Sequence, residues 1–93
     1  MTRLVVEFFG PAQVIAGEAE VELDLAGGAT VRDVLRALVG AYPNFRETIV
    51  DPTDWTLQPY FLVNLDGKAT IKDPDTAPPS GSRLILMSSL MGG

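Results

Sequence analysis

GGATVRDVLRALVGAYP, residues 27–43, is the stretch that constrains everything around it. Thr30 followed three residues later by Asp33 has the form of a capping box. In that arrangement the hydroxyl and the carboxylate each satisfy a backbone N–H that a helix leaves unpaired in its first turn. Val31, Val34, Leu35, Leu38 and Val39 then recur at i, i+3, i+4 spacing, which places them on one stripe with Arg32 and Arg36 off it. Gly40 and Pro43 end the helix. A single apolar stripe covers a single surface, so the flanking segments must supply one sheet face for it to pack on.

Toward the N-terminus, residues 3–9 alternate as a strand, with Leu4, Val6 and Phe8 on one face and Val5, Glu7 and Phe9 on the other. Gly10-Pro11 stops it. Residues 17–25 alternate more cleanly, Val21, Leu23 and Leu25 against Glu20, Glu22 and Asp24, and read as an antiparallel partner reached through a connection over residues 11–16.

Toward the C-terminus, residues 44–59 are polar and broken by proline, with Asp51-Pro52, Asp54 and Trp55 among them. They read as an excursion across the surface, with a weak helical signal at 45–49. Residues 60–65 form the next strand, Asp66-Gly67 has tight-turn chemistry, and residues 68–71 return. Residues 72–82 contain three prolines and a glycine and read as a loop, and residues 83–87 make a final strand with Leu84 and Leu86 on one face and Ile85 and Met87 on the other.

Hairpin, helix, hairpin and final strand, in that order, predict an α+β chain. The connection through the helix lets the last strand lie beside the first and parallel to it. This is the β-grasp, or ubiquitin-like, arrangement: a mixed four- to five-stranded sheet with one main helix on one face. The expected organisation is a domain over residues 1–88 and a flexible tail over 89–93. Val5, Phe9, Ile85 and Met87 fall on the side the helix leaves bare. They form either a docking patch beside the tail or a surface that Trp55 and the loop over 46–59 fold across.

At 93 residues and 46% hydrophobic, the chain has enough material for one core without staples. Histidine and cysteine are both absent, which removes disulfides, imidazole or thiolate metal sites and His-dependent triads, and leaves carboxylates, lysines or the chain's end for any chemistry. A net charge of −5 carries no footprint for nucleic acid or anionic lipid and points to protein partners. No apolar run is long enough for a membrane span or a signal peptide, so a cytoplasmic location is expected.

The bland readings suffice for several tempting residues. Asp73, Asp75 and Gly81 fail the spacing of a calcium loop. Asp51 and Asp54 suit turns, and Lys68 and Lys72 occupy turn or edge positions where lysine is ordinary. The row Glu20, Glu22 and Asp24 suits a solvated strand face.

Gly92-Gly93 is different in kind. It sets a carboxylate on backbone without side chains, free to enter a narrow site where a Cβ would collide. Paired glycines also arise at chain ends by chance, where fraying tolerates them. Leu90, beyond the last strand, has no core left to enter and suits an anchor, and Met91 suits either a contact or an exposed side chain. Residues 89–93, fully extended, reach roughly 17 Å.

The chain resembles the ubiquitin-like sulfur carriers of the molybdopterin synthase small subunit and thiamine-biosynthesis carrier type. The likeness spans nearly all of it. It rests on Phe8-Phe9-Gly10-Pro11, Thr30-Val31-Arg32-Asp33-Val34-Leu35, Val63-Asn64, and the fixed spacing from Gly81 through Ser82-Arg83-Leu84-Ile85-Leu86 to Gly92-Gly93. Serines stand at 80, 82, 88 and 89, where the family commonly has acidic residues beside the loop glycine and prolines before the tail.

The resemblance implies a carrier subunit, not itself catalytic, of a sulfurtransferase complex. An adenylating enzyme of the ubiquitin-activating type would turn the Gly93 carboxylate into an acyl-adenylate, and a sulfur donor would displace AMP to leave a thiocarboxylate. A large catalytic subunit of molybdopterin synthase type would receive the sulfur. Gly92, Met91, Leu90, Phe9, Ile85 and Met87 are the implied partner contacts. No cofactor or metal is expected on this chain, ATP and its metal being the activating partner's. Thiamine, cysteine or tRNA thiolation routes, conjugation to target lysines, and a non-covalent binding module stand as alternatives.

Overall fold

A computed structural model describes residues 1–89. The readings that fall on Leu90, Met91, Gly92 and Gly93 lie outside the described residues. Strands β1 (Thr2–Phe8), β2 (Glu20–Leu25), β5 (Phe61–Leu65), β6 (Ala69–Ile71) and β7 (Arg83–Ser88) form one mixed sheet in the order β2-β1-β7-β5-β6. Helix α2 (Val31–Ala41) crosses it, a short helix α1 (Pro11–Ala16) links β1 to β2, and β3 (Val50–Asp51) pairs with β4 (Thr56–Leu57).

The β-grasp topology is present in full. β1 pairs antiparallel with β2 and parallel with β7, Val6 lying opposite Leu84 and Phe8 opposite Leu86. β7 in turn pairs antiparallel with β5, whose hairpin to β6 turns at Asp66 and Gly67 with φ of 55° and 73°. Positive φ at both central residues matches the twist of the flanking strands, which is why Asp-Gly serves there.

The helix forms as its sequence dictates. Thr30 N–H donates to the Asp33 carboxylate at 2.9 Å and Asp33 N–H donates to the Thr30 hydroxyl at 3.2 Å, closing the capping box. Val31, Val34, Leu35 and Leu38 are buried against Leu4, Val6, Leu84 and Leu86. Burying each such side chain is worth about 1.5–3 kcal/mol, so this stripe and its facing strands carry the greater part of the fold.

Two segments differ from the sequence reading. Residues 11–16 are helical: Pro11 stands at the first helical position, and Gly17 caps the end at φ 74° with its N–H on the Gln13 carbonyl. Six residues are too few for a period to show, but proline in front and glycine behind is a helix's own punctuation. Residues 43–57 also do more than cross the surface. A 3-10 turn at Pro43–Phe45 drives Phe45 fully into the core, and Ile49 and Val50 follow it. Phe45 stacks on Tyr42 at 5.2 Å and meets Phe8 edge-on at 5.4 Å.

Candidate functional site

The open face of the sheet follows from register. Val5 lies opposite Arg83 and Glu22, Ile85 opposite Glu7 and Asn64, and Met87 opposite Leu62. Val5, Ile85, Met87 and Leu62 therefore form a half-buried apolar strip across the three central strands. Trp55 and its loop do not cover it. The Trp55 ring lies beneath the Arg36 guanidinium at 5.5 Å, Leu57 packs on the core, and the whole β3–β4 segment sits on the helix side. Of the two sequence readings, the bare face is the one observed.

Polar groups frame the strip. Arg83 pairs with Glu20 at 3.2 Å and Glu7 at 3.6 Å, and Arg3 with Asp24 at 2.9 Å and Glu22 at 3.4 Å. The acidic row of β2 is thus answered by two arginines on neighbouring strands. These pairs are exposed and worth little each, so they border the strip without rigidifying it. On the opposite flank the Asn64 side-chain oxygen is shielded from solvent and accepts no hydrogen bond among the described residues.

At the upper end of the strip, Phe9 is 52% exposed and its N–H donates to the Leu86 carbonyl at 2.9 Å. Ser89 N–H donates to the Tyr60 carbonyl at 2.7 Å, which ties the last described residue to the start of β5. Tyr60 is 62% exposed and Val14, on α1, 82%. Phe9, Ile85 and Met87 are therefore gathered at or toward the edge from which residues 90–93 depart, and Leu62 joins them. The sequence reading passed over Leu62, Tyr60 and Val14. The alternation in residues 60–65 places Leu62 on the open face, whereas Val14 required knowing that residues 11–16 are helical.

The loop before β7 is stitched to β1. Arg3 N–H donates to the Ser80 hydroxyl at 3.0 Å, Gly81 N–H to the Arg3 carbonyl at 2.7 Å, and the Ser82 hydroxyl to the Pro79 carbonyl at 2.6 Å. Gly81 sits at φ 93°, a conformation a side chain would strain. The two serines thus use short hydroxyl bonds to fix the register with which β7 enters the sheet and aims its end.

Asp51 and Asp54 accept from Thr53 N–H and the Thr56 hydroxyl, and Asp73 from Asp75 N–H, all within turns. Among the described residues no cluster of three metal-ligating side chains occurs, and no helix is long and apolar enough to cross a membrane.

A scan against protein-family models finds no match. Small archaeal modifier protein 1 of Haloferax volcanii is 36% identical over 87 residues, covering 94% of this chain and 97% of that protein. The crystal structure of SAMP1 from Haloferax volcanii superposes with a TM-score of 0.81 at 30% identity, covering 98% of this chain and 99% of that one. A putative molybdopterin converting factor, subunit 1, from Pyrococcus furiosus shares the fold with a TM-score of 0.76 at 20% identity, covering 95% of this chain and 98% of that one. With identity held across nearly the full length of both chains and the open face and β7 edge in place, the chain belongs to the small archaeal modifier proteins, within the ubiquitin-like sulfur carrier superfamily.

Proposed function

We propose that the Gly93 carboxylate is adenylated by a ubiquitin-activating-type enzyme and converted to a thiocarboxylate, and that the chain serves as the small subunit of a molybdopterin synthase type complex. The observation that carries this reading is positional. The apolar strip of the open face rises along β7 to Ser89, where the segment ending in Gly92-Gly93 departs, so body and reagent are presented to one partner together.

The chemistry runs in two steps. A carboxylate oxygen attacks the α-phosphorus of ATP and expels pyrophosphate. Hydrosulfide released by the donor then adds at the acyl carbon, AMP leaves, and loss of the sulfur's proton gives the thiocarboxylate. The chain has neither a Gly-rich phosphate motif nor histidine or cysteine, so ATP and its metal belong to the activating partner. Ordering the tail in that partner costs on the order of 1–2 kcal/mol per residue of backbone entropy. The body must offset this, and Phe9, Ile85, Met87 and Leu62 are the surface for it, with Leu90, Met91 and Gly92 threading the channel.

A second reading, conjugation of Gly93 to target lysines, is favoured by the likeness to a 36% identical relative that is a modifier protein. Intact-mass spectrometry of the protein purified from its host separates the two. A species heavier by the difference between sulfur and oxygen is expected for the carrier, and lysine-linked adducts for the modifier. No pyrophosphate release with the cognate activating enzyme defeats both. For the molybdopterin role, the thiocarboxylate form mixed with the large subunit is expected to sulfurate the pterin precursor.

A further inference from the structure

β6 is the last strand on its side of the sheet, and among the described residues its backbone bonds only to β5. One row of its N–H and C=O groups therefore faces outward. Ala69 and Thr70 are small and exposed, so neither bars a further strand. On the helix side of the same edge a groove of about 330 Å³ opens between α2 and the β5–β6 hairpin, walled by Val31, Leu35, Leu57, Phe61 and Ile71, with Lys72 at its rim. We propose that β6 and this groove together dock an extended segment of a partner protein, which joins the sheet as a strand with an apolar residue opposite Ile71 and carboxylates opposite Lys68 and Lys72.

Register gives the first reason. Ile71 lies opposite Val63, which is buried on the helix face, whereas Thr70 lies opposite Asn64 on the other face. Residues paired across strands share a face, so the partner residue opposite Ile71 enters on the side where the groove opens. Main-chain bonds to β6 hold such a segment, and the groove selects its side chain. Arg32 donates to Asp75 at 3.1 Å and to the Asp54 carbonyl, which ties the loop after β6 to the turn before β4. The groove is thereby formed before anything enters it.

Charge gives the second. Lys68 and Lys72 stand immediately before and after β6, and both are exposed. Neither forms an ion pair among the described residues. The acids beside them are engaged elsewhere: Asp66 accepts from Arg83 N–H, Asp73 from Asp75 N–H, and Asp75 from Arg32. In a chain of net charge −5, two unpaired cations at either end of one edge strand set the sign of what can lie along it. A second copy fits poorly. Its β6, run antiparallel about Thr70, would bring Lys68 against Lys72, and like charges set opposite one another repel. Its β2 edge carries acids at the matching spacing, but Glu20 is held by Arg83, and Glu22 and Asp24 by Arg3. The occupant is therefore a different chain whose carboxylates are unpaired.

The test is an NMR titration of the labelled chain with a short capped peptide in which valine, threonine and valine separate an aspartate from a glutamate, the spacing of Lys68 and Lys72. Binding is expected to move the backbone amides of residues 68–72 and the Leu35, Leu57 and Ile71 methyls, and to give nuclear Overhauser contacts between the two backbones. Lys68→Glu together with Lys72→Glu, at exposed positions that leave the fold intact, is expected to weaken binding roughly 10-fold. A peptide with lysines in place of its two acids is expected to recover binding on that variant. Prolines at two adjacent central positions of the peptide, which remove a donor toward β6 in either register, are expected to abolish it. Shifts confined to the open face, at Val5, Ile85 and Met87, overturn the proposal. So do equal affinity of the wild-type chain for the lysine-bearing peptide and the absence of any shift at millimolar peptide. Shifts of the β6 amides that grow with protein concentration before peptide is added also overturn it, giving the edge to a second copy. These spectra involve neither Gly93 nor the activating enzyme, so the docking edge and the terminal chemistry fail separately.

Discussion

At the scale of single residues, Asp33 and Tyr42 show opposite pH behaviour. The Thr30 N–H, and then its hydroxyl, hold the Asp33 carboxyl below the usual carboxylate range. A depressed folded value means that the contribution is whole above the unfolded value near 4 and is lost as pH falls below it. The stability gap between wild type and Asp33→Asn in urea titrations is therefore expected to close as pH falls from about 5 to about 2. Burial, and then the hydrogen bond to Glu18, push the Tyr42 phenol up to about 12. That contribution is whole below about 10 and is lost as pH rises through the folded value, so Tyr42→Phe is expected to flatten the alkaline limb of the stability profile. The Thr30–Asp33 pair was legible in the sequence because a capping box is local. The Tyr42–Glu18 pair was not, since nothing periodic joins the helix end to the turn before β2. Thr30→Ala is expected to cost about 1 kcal/mol in the same titrations, the usual loss for removing an N-cap hydroxyl.

At the scale of elements, what the sequence revealed depended on length and period. The eleven residues of α2 show three turns of one stripe, and β1, β2, β5 and β7 each alternate long enough to assign a face. Residues 43–57 hide their role, because prolines and aspartates between Phe45, Ile49 and Val50 break any period, and only the tertiary fold brings those three side chains together. The consequence is measurable. Phe45→Ala removes a fully buried ring that touches both Phe8 and Tyr42, and is expected to cost about 3–5 kcal/mol in denaturant unfolding. A loss below about 1 kcal/mol would return the segment to the surface role its polarity suggested. Val34→Asp, placing an unpaired charge at the centre of the α2 stripe, is expected to leave the domain unfolded, judged by loss of near-ultraviolet ellipticity.

At the scale of the whole molecule, the fold separates the parts that keep it folded from those proposed to meet a partner. The buried cluster of described residues is complete by Leu86, on the helix face, whereas Phe9, Ile85 and Met87 project to the other side of the same strands. This separation was legible from the alternation of β1 and β7 alone. The same alternation in β5 assigns Leu62 its face, and the register was needed only to set it beside Met87. Under the proposed function it implies two distinguishable kinetic defects with the activating enzyme. Phe9→Ser and Met87→Ser remove apolar contact from the body, which acts before the chemistry, so each is expected to raise KM roughly 10-fold with kcat held, as loss of a central interface contact of about 1.4 kcal/mol does. Deleting Gly93, which leaves the terminal carboxylate one residue short on Gly92, or appending one residue after it, which carries the carboxylate one residue too far, displaces the group proposed to react, so product formation is expected to vanish while the thermal midpoint stays put. Pyrophosphate release at varied carrier concentration, read beside thermal unfolding of the same samples, checks both at once. Should the Phe9 and Met87 variants react with the wild-type KM, the open face is not where the activating enzyme docks, and the tail must find its channel without help from the body.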